Sequence, residues 1–100
     1  MMEVIMAIIV NGGDARSTSL IAIKKAREGN IDEAREMLKD ANNAIARAHE
    51  AQTGLIQAEA RGDKVEMSLL MVHAQDHIMN AMTIRDLAEE IVEILAEKKF

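Results

Sequence analysis

The sequence predicts an all-α fold, an antiparallel bundle of three long helices, and three observations predict it. The chain has no Pro, Trp or Tyr and a single Phe at position 100, so Met, Ala, Leu and Ile must supply the packing. Those residues suit helices and lack the β-branched and aromatic supply of a sheet. Apolar residues also recur at alternating steps of four and three, the spacing of a helical seam. Finally, two short signals, Gly29-Asn30 and Gly62-Asp63, cut the chain into three stretches. A length of 100 residues fits one domain spanning 1–100.

The first helix is expected near 2–28. Gly12-Gly13 interrupts it at a cost of about 1 kcal/mol per Gly relative to Ala. Either the helix bends there or a neighbouring backbone comes close; the sequence does not choose. The apolar start, Met1 to Val10, carries Glu3 and no positive leader, and Asn11 to Arg16 does not continue it. It fits neither a signal peptide nor a membrane-spanning helix.

The second helix is expected near 31–61, after Gly29 ends the first in the left-handed conformation and Asn30 caps the next, with Glu33 placed as a capping-box partner. About thirty residues make it roughly 45 Å long. Its seam reads Ala34, Leu38, Ala41, Ile45, Ala48, Gln52, Leu55. Gly62, Asp63 and Glu66 repeat the signal, giving a third helix near 64–98 with the seam Leu70, Ala74, His77, Ala81, Ile84, Ala88, Ile91, Leu95. A second strip on that helix, Val65, Leu69, Val72, Asp76, Met79, Thr83, has no evident use inside one chain. Self-association would bury it, so a homo-oligomer is expected.

Composition excludes several functions. A formal net charge of -5 with no basic cluster argues against nucleic acid and anionic membrane surfaces. The absence of Cys removes disulfides, thiolate nucleophiles and zinc–thiolate sites. A cytoplasmic protein, without membrane insertion, is the expectation.

Polar residues break the apolar pattern between Leu69 and Met82. His73, Asp76, Asn80 and Thr83 fall on one helical face, and His77 follows His73 by four. His73 is either an inert hydrogen-bonded imidazole or a nucleophile whose free nitrogen attacks a phosphoryl group. Spacing alone does not separate the two. Asp76 on an apolar strip is costly unless paired or metal-bound. If that strip lies on an oligomer axis, converging copies of Asp76 favour either a bound cation or shared protons, and oxygen ligands would favour a hard ion such as magnesium. His77 reads as a core residue, or with His73 and Asp76 as a transition-metal chelate. His49, beside Ala48 and Gln52, reads as structural, with a contribution to the site as the alternative.

The block Val72-His73-Ala74-Gln75-Asp76-His77-Ile78-Met79 resembles the signature of the lactose/cellobiose (chitobiose) IIA components of the bacterial phosphoenolpyruvate-dependent sugar phosphotransferase system. Ala48 to Thr53, Glu59 to Gly62 and Gly13 to Ser17 resemble that family's middle and first helices. The resemblance implies a three-helix bundle assembled as a homotrimer. It implies phosphorylation at His73 and a divalent cation, magnesium or another, held by Asp76 on the trimer axis. It also implies phosphate received from the histidine-containing phosphocarrier protein and passed to a cysteine of the cognate IIB component. Gln75 and His77 match motif positions without an assigned role, and a longer N-terminal extension of some members is expected to be absent. Two alternatives compete with this reading. A histidine phosphotransfer module of signalling would follow its His with a basic residue and Gly, not Ala74-Gln75. A metal-binding or structural helical bundle would show no phosphoryl transfer.

Overall fold

The structure, a computed structural model, describes residues 1–98. It holds three α-helices running up, down and up: α1 (Met2–Arg27), α2 (Ile31–Ala60) and α3 (Leu69–Glu97). They form a rod of 56 × 19 × 17 Å in which α1 packs heavily against both partners while α2 and α3 touch less.

Both expected glycine stops form. Gly29 and Gly62 have φ of 90° and 93°. At the first, Asn30 N–H donates to Lys25 O (2.9 Å) and Gly29 N–H to Ala26 O (3.0 Å); Asp63 and Gly62 repeat this with Ala58 and Glu59. These pairs satisfy carbonyls that the helix ends would otherwise leave free.

The capping expectations need correction. Asn30 precedes α2, but its side chain makes no capping hydrogen bond, and Glu33 turns instead toward Lys25 at 3.7 Å. The third helix starts at Leu69 rather than near 64. Asp63 accepts from Arg61 Nη2 (3.1 Å) instead of capping a helix. Segment 63–68 crosses the bundle end as irregular chain, which lets Val65 pack against the core while Lys64, Glu66 and Met67 stay in water. Ser68, with extended backbone, is the real cap: its Oγ accepts from Met71 N–H at 3.1 Å.

Three apolar clusters run along the rod. Ile5, Ile8, Ala48, Met71, Ala74 and Ile78 fill one end. Ala15, Ala41, Ala44, Ile45 and Ala81 fill the middle, and Ala22, Ala26, Ala34, Leu38, Ala88 and Val92 the far end. Ten of the seventeen buried apolar side chains among the described residues are Ala, so the helices must approach closely to leave no void. The α2 seam is as expected from Ala34 to Ala48, with Gln52 and Leu55 half-buried. On α3 the seam turns by one residue from the expected line. Met71, Ile78 and Val92 are buried, whereas His77 is only half-buried and Ile91 lies on the surface. The reason is α1, against which α3 packs most.

Gly12 fixes that crossing. A Cβ built on it would lie 3.3 Å from the His77 carbonyl carbon and 3.4 Å from Ile78 N. Of the two expectations for Gly12-Gly13, close backbone approach is therefore the one observed, and α1 remains helical throughout. At the far end, Arg35 of α2 grips Glu93 of α3 with two bonds of 3.0 and 3.1 Å. Its hydrogen bond above all holds the Glu93 carboxyl below its ordinary value, opposed by desolvation and helped to a lesser degree by the Arg35 charge.

The second strip of α3 is open in the single chain. Leu69 is 86% exposed, and Val72, Met79, Leu87 and Ile94 are also exposed. Val65 departs from it, because the irregular segment carries it into the core.

Candidate functional site

The polar face forms where Ser68 starts α3 and Gly12 pins it. One turn inside the cap, His73 is exposed beside an open apolar hollow lined by Leu69, Leu70 and itself. Its Nε2 lies 3.0 Å from Nε2 of His77, and the rings meet edge to face with centroids 4.5 Å apart. Two imidazole nitrogens at that distance share one proton: one ring donates and the other accepts. His77 is half-buried and its backbone rests on Gly12, so it is the fixed member of the pair. Nδ1 of His77 faces the position of Gly13, where a Cβ would come within 4.0 Å.

Asp76 projects from the open strip, exposed, and its Oδ1 accepts from Asn80 Nδ2 at 3.2 Å. Thr83 shares the face but donates to Met79 O at 3.2 Å. Among the described residues, no group of three or more His, Asp, Glu or Cys could hold a metal ion. A hard cation takes about six oxygen ligands. One chain offers a single carboxylate here, so magnesium fits only where Asp76 side chains of several copies would contribute.

Gln75 turns inward. It accepts from Gln52 Nε2 at 2.7 Å and donates to Met71 Sδ at 3.6 Å, tying α2 to α3. Sequence reasoning gave Gln52 only a seam position; a Gln at the end of an otherwise apolar seam was the available signal. His49 is exposed on α2 and takes no part in these contacts. The structure thus joins His73 to His77 and Asp76 to Asn80, and leaves Thr83 and His49 apart.

Residues 3–96 match the model of the PTS system lactose/cellobiose-specific IIA subunit family. The chain belongs to this family. It is 53% identical to the lichenan-specific phosphotransferase enzyme IIA component of Bacillus subtilis over 94 residues, covering 94% of this chain and 86% of that one. The crystal structure of the cellobiose-specific enzyme IIA of Bacillus anthracis superposes with a TM-score of 0.92 at 44% identity, covering 95% and 87% of the two chains. The IIA chain in the solution structure of the Escherichia coli chitobiose IIA–HPr complex does so with a TM-score of 0.82 at 38% identity, covering 96% and 93%. As a IIA subunit, the chain is a phosphotransfer component of a sugar uptake system. No helix of the described residues is long and apolar enough to cross a membrane.

Proposed function

We propose that this IIA subunit carries the phosphoryl group on His73. The observation that carries the reading is an exposed imidazole whose Nε2 meets the His77 Nε2 at 3.0 Å. The donor is the histidine-containing phosphocarrier protein, a partner supported by the HPr complex of the chitobiose relative. A lone pair of neutral His73 attacks phosphorus, the donor's P–N bond breaks, and the donor ring keeps the electrons. With its proton on Nε2, the fixed His77 ring then offers that N–H to a phosphoryl oxygen, a preset hydrogen bond at the site of charge. Transfer onward to a cysteine of the cognate IIB component forms the P–S bond and frees His73. The relay is cytoplasmic. A β-linked oligosaccharide as the sugar fits the lichenan, cellobiose and chitobiose names of the relatives.

The open strip of Leu69, Val72, Met79, Leu87 and Ile94 is the surface that a homotrimer would cover. Asp76 lies in that strip and is the residue that would hold a divalent cation, magnesium by its preference for oxygen. The cation would supply the positive charge that converging carboxylates require.

The test is intact mass after incubation with phosphoenolpyruvate, enzyme I and the phosphocarrier protein. One acid-labile phosphate per chain, lost in His73→Ala and reduced but present in His77→Ala, is expected. Phosphate retained in His73→Ala would overturn the assignment of the nucleophile. No phosphate in the wild type, with the donor active on a control, would overturn the carrier reading.

A further inference from the structure

The two imidazoles are already placed to do something other than pass a phosphate. His73 and His77 stand at i and i+4 on one helix with both Nε2 atoms converging, 3.0 Å apart and on the solvent side. Two imidazole nitrogens bound to one tetrahedral zinc at about 2.0–2.1 Å lie about 3.3–3.4 Å from each other. Opening the pair by that small amount takes a rotation of the exposed His73 ring and no movement of the backbone. The far nitrogen of His77 faces a glycine rather than a bulky side chain, so His77 can carry its proton on Nδ1 and offer Nε2 as a ligand.

We infer that His73 and His77 together form a binding site for a divalent transition ion of the zinc class, and that occupancy shuts off the phosphoryl acceptor. This site is separate in chemistry from Asp76, whose oxygen suits hard cations while imidazole suits zinc and its neighbours. With no third protein ligand among the described residues, water completes the coordination, and the ion exchanges with solvent rather than being a permanent part of the fold.

The blockade follows from electron counting. Coordination at Nε2 of His73 uses the only lone pair of the neutral ring, because the proton then sits on Nδ1. Neither nitrogen remains nucleophilic, so acceptance stops whichever nitrogen normally takes the phosphate. This second half rests on His73 being the carrier; the binding of zinc does not.

The test begins with calorimetric titration of zinc into the full chain, in buffer containing magnesium so that any oxygen site is filled. Wild type, His73→Gln, His77→Gln and Asp76→Asn are compared, each checked for helix content by circular dichroism. One zinc per chain is expected, unchanged in Asp76→Asn and weakened by at least about tenfold in each His variant, since loss of a ligand costs no less than loss of an outer-shell partner. No binding at millimolar zinc, or binding that survives both His substitutions, overturns the site. The second arm measures phosphorylation of wild type with and without zinc, with phosphorylation of the donor by enzyme I followed separately. Slower acceptance at unchanged donor loading is expected; an unchanged rate at saturating zinc overturns the blockade. A wild type that takes no phosphate even without zinc defeats the carrier reading and leaves the titration readable.

Discussion

Gly12 and Gly13 are neighbours in one helix, yet substitutions there should act in opposite directions. A Cβ at Gly12 would sit 3.3 Å from the His77 carbonyl carbon and 3.4 Å from its oxygen, and these are backbone atoms that cannot swing aside. Gly12→Val adds that carbon and two more, so α1 and α3 must separate. Overpacking of this kind costs about 1–3 kcal/mol, and the better helix propensity of Val returns about 0.3–0.5 kcal/mol. The net loss of about 0.5–2.7 kcal/mol corresponds to a fall in melting temperature of about 2–22 °C for a domain of this size. At Gly13 the added carbon meets only the His77 ring nitrogen at 4.0 Å, an ordinary contact. Gly13→Ala should therefore gain about 0.5–1 kcal/mol from propensity and melt about 2–8 °C higher. The assay is thermal unfolding followed by circular dichroism at one fixed chain concentration, because self-association makes melting concentration-dependent. Gly12→Val melting at or above wild type would refute the close approach. Gly13→Ala falling as far as Gly12→Val would show that helix spacing in general, not the Gly12–His77 crossing, sets the limit.

Two further outcomes test the two ends of the rod. Ser68→Ala removes the cap of α3 and should cost about 1 kcal/mol, a fall of about 4–8 °C, with faster hydrogen exchange confined to the first turn that leads to His73; unchanged exchange there would deny the cap. Glu93 has its folded pKa held below the ordinary 4.5, so its stabilising share is present above that value and is lost as pH falls through the lower folded one. The gap in melting temperature between wild type and Glu93→Gln should be steady from neutral pH down to 4.5 and close below it, while a gap that widens with acid would contradict the Arg35–Glu93 clamp.

Much of the architecture was readable from local chemistry. Gly29 and Gly62 mark the turns because few other residues accept the left-handed backbone, and the alanine seam of α2 keeps its period over several turns. The start of α3 was not readable. Asp63 and Glu66 imitate a capping box, while Ser68, which does cap, precedes an apolar run with no acidic partner. Tertiary packing enters here, because the irregular chain carries Val65 against the core. The one-residue turn of the α3 seam had the same origin: apart from His77 both lines are apolar in the sequence, and the Gly12 crossing goes with the line through Ile78 and Val92. At the site, the shared face of His73 and Asp76 followed from helical spacing. The contact of His77 with His73, rather than with the core, needed the crossing as well, and the tie between Gln52 and Gln75 needed two helices in place.

The slenderness of the rod has a consequence for whatever it carries. With a cross-section of 19 × 17 Å, three helices occupy the whole width, and a single chain has no interior in which a reactive bond could be hidden from water. With His73 as the proposed carrier, a phosphoramidate there would stay wetted on a single chain between one encounter and the next. Its survival time is then set by the intrinsic hydrolysis of the P–N bond and by how soon the next protein arrives. Selection on such a carrier acts on the shape and charge of its meeting surfaces and on the speed of docking, because shielding the charged form within one chain is not open to a molecule this thin.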